Sequence, residues 1–142
     1  MALTQLAAGE TDHIRPFFLP ATRLVLYRVT GQNPLNNSYY VTSLGSGERQ
    51  LVLQTESGNV MYAAGHLLFM NGNSLIAQPF DAKRLTVTDR AVPVAEKVRL
   101  SDGRPSFGVF SVSQAGGLAY LPQGGNDVPM RVVTNWAAVS KN

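Results

Sequence analysis

The side chains able to do chemistry are few, and their spacing limits them further. Two histidines are present, His13 in Asp12-His13-Ile14-Arg15-Pro16 and His66 beside Gly65. His13 could serve as a general base, and His66 as a ligand. Two isolated histidines do not make a metal site, because three or four converging ligands are needed and no acid-rich loop with regular oxygen spacing accompanies them. Gly72-Asn73-Ser74-Leu75-Ile76 lacks the closing glycine of a nucleophile elbow and sits in a hairpin rather than a strand-to-helix turn. Neither Gly45-Ser46-Gly47 nor Gly116-Gly117 extends into a phosphate-binding loop or leads into a helix, so both read as hairpin turns. The protein-kinase signatures His-Arg-Asp, Asp-Phe-Gly and Val-Ala-Ile-Lys do not occur. The expectation from the residues is a protein without catalytic, cofactor-binding or metal-binding residues.

The elements that position these side chains follow from composition and pattern. The chain has 142 residues, 44% of them hydrophobic, with 13 glycines, 8 prolines and no cysteine. That is enough apolar material for one ordinary domain or part of a larger one, in a turn-rich chain. Without cysteine there are no disulfides, thiolate metal sites or thiol nucleophiles. Twelve basic residues stand against nine acidic ones, a net charge of +3, and the bases are scattered with acids between most of them. This is a mixed solvated surface rather than a stripe that tracks phosphates, so no nucleic-acid partner is expected. The first ten residues carry neither a basic leader nor an apolar run and do not read as a signal peptide. No apolar stretch approaches the roughly 20 residues of a membrane span.

Periodicity predicts strands almost throughout and no helix. Arg23–Val29, Ser38–Leu44 and Gln50–Thr55 are β-rich runs separated by Thr30-Gly31-Gln32-Asn33-Pro34 and Gly45-Ser46-Gly47-Glu48. His66–Met70 and Ser74–Gln78 flank Asn71-Gly72-Asn73, where Asn-Gly supplies the positive φ angles of a hairpin. Further runs lie at Val92–Val98, Phe107–Ser113, Gly117–Leu121 and Met130–Trp136. Short strands with regular turns mean an antiparallel all-β architecture.

A loose repeat runs through them. Phe18–Tyr27, Tyr62–Phe69 and Phe110–Tyr120 each place an aromatic, a small or polar turn and an apolar strand ending in an aromatic. Tyr27, Phe69 and Tyr120 stand 42 and 51 residues apart, about the length of a four-stranded blade. Tyr40–Gly45 matches Ile76–Asp81 as a third strand, with Gln50–Gln54 and Val92–Val98 as fourth strands. The twelve aromatics most simply fill the space between blades, a few of them forming a rim.

Glu10-Thr-Asp-His-Ile-Arg-Pro-Phe-Phe-Leu-Pro20, Tyr40–Leu44, Gly65–Phe69, Ala77-Gln-Pro-Phe-Asp81, Val92-Pro-Val-Ala-Glu96, Phe110–Ser113 and Leu118–Tyr120 resemble the TolB-like, WD-repeat-like β-propellers. More narrowly, they are similar to those found C-terminal to bacterial serine/threonine kinase domains, and Val132-Val-Thr-Asn-Trp136 is similar to the tail ending many such chains. The resemblance implies antiparallel four-stranded blades forming a partial propeller of about two and a half blades. Its units lie at about 14–55, 59–99 and 106–122 within residues 1–129, followed by a tail strand over 130–142. It also implies that His13 is a blade-turn residue bonding the backbone and that His66 sits at a turn or strand edge. Pro20-Ala21-Thr22 departs from the family's Pro-Asp-Gly turn, which predicts a less well specified connection there. The function implied is a non-catalytic interaction or sensor module belonging to a larger bacterial signalling or periplasmic protein. The alternatives are an accessory propeller of a hydrolase or peptidase, and a truncated remnant without function. Propellers bind on their loop faces, which singles out Asn33 and Asn36 in one connection and Asp102 and Arg104 in another. The implied partner is a protein, or a second copy docking on exposed blade edges, in an extracytoplasmic setting for full-length relatives.

Overall fold

The computed structural model describes residues 2–33, 37–103, 106–125 and 127–139. It is all-β with antiparallel sheets, and no sheet closes on itself. The chain divides into two compact units, residues 1–56 with 82–87, and residues 57–81 with 88–142.

The first unit is a four-stranded meander of β1 (Glu10–Phe18), β2 (Leu24–Gly31), β3 (Ser38–Ser43) and β4 (Arg49–Gln54), paired in that order. Five consecutive residues of β2, Val25 to Val29, are buried. Both faces of this central strand are therefore covered, and the burial takes in Arg28 along with its apolar neighbours. Register sorts the side chains by alternation. Leu26, Arg28, Tyr39 and Val41 fall on one face, with Arg28 opposite Tyr39 and Leu26 opposite Val41. Tyr27, Val29, Tyr40 and Thr42 fall on the other, with Tyr27 opposite Tyr40. The turn at Pro20-Ala21-Thr22 is tied down after all. Ala21 takes the left-handed φ of 59° that glycine would normally supply, and the Thr22 hydroxyl donates to the Leu19 carbonyl at 2.7 Å while accepting from the Leu24 amide at 3.1 Å.

The second unit holds two sheets. β5 (Val60–Ala63), β6 (His66–Asn71) and β7 (Ser74–Asp81) form an antiparallel meander. After β8 (Thr86–Val87), which lies in residues 82–87 of the first unit, β9 (Val92–Ala95) pairs with β7. The third and fourth strands anticipated at Ile76–Asp81 and Val92–Val98 are thus β7 and β9. Pro93 is accommodated because β9 lies at the margin, beside a register shift. The other sheet is β10 (Phe110–Val112), β11 (Gly117–Tyr120) and β12 (Arg131–Thr134). Trp136 does not extend the last strand; it opens a four-residue helical turn, α1 (Trp136–Val139), after Asn135 at φ 56°. Leu68, Leu75, Val98, Leu118 and Trp136 are essentially inaccessible and form one core with Ala63, Met70, Ala77 and Ala95. Asn59 joins the two sheets by a reciprocal pair of bonds, its side-chain nitrogen donating to the Gly108 carbonyl at 3.1 Å and its oxygen accepting from the Gly108 amide at 2.9 Å.

The hairpin at residue 72 forms one residue later than Asn-Gly implies. Asn71 pairs with Ser74, so Gly72 and Asn73 are the loop, and only Gly72 is at positive φ. This is the II′ pattern, in which glycine takes the first central position, rather than the I′ pattern of Asn-Gly.

Candidate functional site

Alternation across β1 to β4 gathers a polar cluster on one face of the first sheet. His13 lies opposite Val29, Tyr27 opposite Tyr40, and Thr42 opposite Arg49. Because residues opposite one another share a face, His13, Tyr27, Tyr40, Thr42 and Arg49 all project to the same side. Glu10 pairs with Gly31 at the start of β1. A Cβ on Gly31 would come within 2.8 Å of the Gly9 carbonyl oxygen, so the close approach that brings Glu10 over the sheet requires glycine there.

Glu10 is the hub. One carboxylate oxygen accepts from the Arg49 Nη2 at 2.7 Å. The other accepts from His13 Nε2 at 2.8 Å and from the Ala7 amide at 2.9 Å. His13 Nδ1 lies 2.8 Å from the Thr4 hydroxyl. A carboxylate can only accept, so Nε2 carries the proton toward Glu10; in a neutral ring Nδ1 then accepts from Thr4. The Arg49 guanidinium sits 4.3 Å from the centre of the Tyr40 ring, the Tyr27 and Tyr40 rings stack at 6.3 Å, and the His13 ring lies 5.2 Å from Tyr27.

The electrostatics follow the contacts. The Arg49 hydrogen bond, reinforced by the Ala7 amide and His13, holds the Glu10 carboxyl down to about 2 despite some opposing desolvation. Its partner Arg49 is pushed up, chiefly by the bond to Glu10. Burial raises the Tyr27 phenol, with Arg49 opposing. On the opposite face burial raises the Tyr39 phenol strongly, and Arg28, itself 3% exposed and with an Nε that finds no hydrogen-bond partner, pulls it the other way.

Two clefts flank the cluster within this unit. One, of about 480 Å³, is lined by Thr4, Gln5, Tyr27, Thr42 and Arg49 together with the backbone of the N-terminal segment. The other, of about 340 Å³, is lined by Glu10, Asn33, Ser38, Tyr40 and Gln54 among others. The cluster is the partition between them. Chemically it presents the partly exposed Arg49 guanidinium at the cleft wall over the buried Tyr27 phenol and Thr42 hydroxyl, with the Glu10 carboxylate engaged by both Arg49 and His13.

The residues expected from sequence fall differently. Asn33 is exposed and lines the smaller cleft. Asp102 is exposed in a bend of the second unit, in the loop that Ser101 and Phe107 close by mutual hydrogen bonds. Asn36 and Arg104 lie outside the described residues. His13 is corrected: it is a strand residue bonded to two side chains, not a turn residue bonded to backbone. His66 opens β6, where Nδ1 donates to the Ala64 carbonyl at 2.7 Å and the ring meets Trp136 edge-on at 5.2 Å. Sequence marks Tyr27 and Tyr40 only as strand aromatics of the repeat and does not single out Thr4, Glu10 or Arg49. The readable signal was the pairing register of β1 to β4, which turns scattered positions into one face. Among the described residues no group of three or more His, Asp or Glu is placed to hold a metal ion, and no helix is long and apolar enough to cross a membrane. No family model matches the chain, and no curated protein or solved structure matches it.

Proposed function

We propose that the chain is a non-catalytic binding module of β-propeller-type blades, a piece of a larger bacterial signalling or periplasmic protein. One observation carries the reading. A linked acid, base and cation on the first sheet are paired with one another, Glu10 accepting from Arg49, His13 and the Ala7 amide, and the shape they stabilise is a pair of clefts. A carboxylate held near pKa 2 by three donors is a fixed anchor and a poor proton acceptor. What remains at the cleft wall is the solvent-facing part of the Arg49 guanidinium, 30% exposed, above the buried Tyr27 and Thr42, and it suits a carboxylate- or hydroxyl-bearing ligand such as a peptide or a sugar. The four-strand spacing of the repeat and the meander order of β1 to β4 support the blade reading.

A second reading rests on the chain of contacts from the Thr4 hydroxyl through His13 to Glu10, whose order is that of nucleophile, base and orienting acid. One experiment separates the two. Peptide and oligosaccharide pools are titrated into isotope-labelled protein, and p-nitrophenyl acetate hydrolysis is followed on the same sample. The module reading expects shifts centred on Tyr27, Tyr40, Thr42 and Arg49, with ester hydrolysis equal in wild type and Thr4→Ala. Hydrolysis lost in Thr4→Ala with the fold intact would replace it with the hydrolase reading. A chain that binds nothing and melts without cooperativity would be a remnant.

A further inference from the structure

Strand edges differ in how well they are defended: β5 and β10 lie against each other, with Gln114 donating to the Tyr62 carbonyl, and of the remaining edges among the described residues one is undefended. β1, at one end of the first sheet, carries Glu10, Asp12, Arg15 and Pro16 and two register shifts. β4, at the other end, starts with Arg49 in its ion pair, and its Gln50 donates to the carbonyls of Arg84 and Leu85. β9 contains Pro93 and is followed by Glu96, which bonds Ser74. Charges, proline and bulges of this kind are what keep a sheet edge from pairing with another chain.

β12 has none of them in its centre. It is the outer strand of its sheet, and no described residue pairs with its far side. Its sequence from residue 130, Met-Arg-Val-Val-Thr, has one charge, at the second position, and no proline or bulge. Val133 turns inward onto the core, while Val132 is 69% exposed and Met130 64% exposed on the opposite side. Beside Val132 runs a shallow, mostly apolar groove of about 260 Å³ along Ser111, Leu118 and Ala119. This sheet has three strands, where β1 to β4 make four.

We infer that two copies of the chain pair through β12, each supplying the fourth strand of the other's sheet. The strand is self-complementary about Val132. Set antiparallel on a two-fold axis through that residue, Val132 meets its own counterpart, Met130 meets the counterpart of Thr134, and Arg131 meets that of Val133. Opposed residues share a face, so the inward side stays on each core, the exposed Val132 covers its counterpart, and Met130 lies against the counterpart of Thr134. The two Arg131 side chains are not opposed, so no like charges face each other. A two-fold arrangement centred on the exposed Val132, with no like charges opposed, favours a second copy over a foreign strand, because one operation satisfies the edge on both molecules and closes the assembly at two. The paired edge is about 17 Å long at about 3.4 Å per residue, which places the interface at the small, reversible end of specific contacts, below about 1,200 Å² in total.

The experiment is light scattering and sedimentation equilibrium on the whole chain over concentrations from about 5 to about 500 μM, the range in which so small an interface should titrate. The expected result is a mass rising from 15.3 kDa toward twice that value and no further. Val132→Lys would set two ammonium groups face to face across the axis and should weaken dimerisation more than about tenfold, with the circular-dichroism melt unchanged because the side chain is exposed. Met130→Lys, off the axis, should weaken it less and serves as the decisive variant if Val132→Lys does not fold. A mass of one chain throughout, a mass growing past two chains, or dimerisation equally strong in the folded lysine variants would each overturn the proposal. The inference does not depend on the binding-module reading, whose own test is confined to the first unit.

Discussion

The polar face of the first sheet and the core of the second unit solve the same problem by different means. Around Glu10, the side chains of Thr4, His13, Tyr27, Tyr40 and Arg49 are held by directional bonds of 2.7 to 2.8 Å and stacked rings. In the core of the second unit, nine buried side chains, Trp136 among them and none charged, hold together by shape. Close packing makes the second arrangement stiff and intolerant of lost volume. The first is softer, because each of its directional bonds can be lost separately, and it answers to pH through the Glu10 carboxyl.

The largest test of that contrast is Trp136→Ala. The side chain is fully buried, and large aromatic truncations in such cores cost about 3–5 kcal/mol. Its indole Nε1 has no hydrogen-bond partner. Trp136→Phe removes that orphan donor along with some volume and should cost far less, about 1 kcal/mol. Denaturant melts followed by circular dichroism serve all three proteins; in the wild type, Trp136 is the single tryptophan and its fluorescence reports on the second unit directly. If Phe cost as much as Ala, the indole nitrogen would have a partner and the core would not be held by shape.

Glu10→Gln probes the other side of the comparison. The ion pair is partly solvated, since Arg49 is 30% exposed, and its loss should cost about 1 kcal/mol. Because the folded-state carboxyl is lowered from an ordinary value of 4.5 to about 2, the wild-type contribution is fully present above pH 4.5 and disappears as the pH falls toward 2. The variant should lack that dependence, so the two stability curves should converge on acidification. Parallel loss in both proteins between pH 5 and pH 2.5 would show that Glu10 is not the hub.

This contrast also separates what sequence reveals from what it hides. Strands β2, β3, β4, β6 and β7 were legible because each is an apolar run bounded by Gly, Asn or Pro, a local signal. β1 and β5 were not. β1 mixes Glu, Asp, His, Arg and Pro, and forms only because β2 offers it an edge. β5 is four residues long and closes on β6 through Ala64-Gly65. The polar cluster was hidden for the same reason. Glu10, His13, Tyr27, Tyr40 and Arg49 are scattered along the chain, and nothing short of the register of three strand pairs, including two bulges in β1, puts them on one face. His13 in particular carries no local mark that its partners are side chains. Ala21 was legible as an anomaly but not in its outcome, since the threonine bonds that stabilise the turn are specific to Thr22.

The smallest effect comes from the turn between β5 and β6, on the margin of the shape-held unit. Ala63 pairs with His66, leaving Ala64 and Gly65 as a two-residue loop with φ of 49° and 76°. Both central residues at positive φ define a I′ turn, for which Asn-Gly is the preferred pair. Alanine in the left-handed region is strained, and asparagine tolerates it better because its short side chain bonds locally. Ala64→Asn should therefore stabilise by about 0.5 kcal/mol, while Gly65→Ala should destabilise by about 1 kcal/mol. The carbonyl of residue 64 keeps its bond from the His66 ring in either case, since it belongs to the backbone. Urea melts of the two variants on one plot decide the matter: a destabilised Ala64→Asn would mean that the His66 bond, and not the dihedral, sets the conformation of this turn, and that even the shape-held unit depends on a polar contact at its edge.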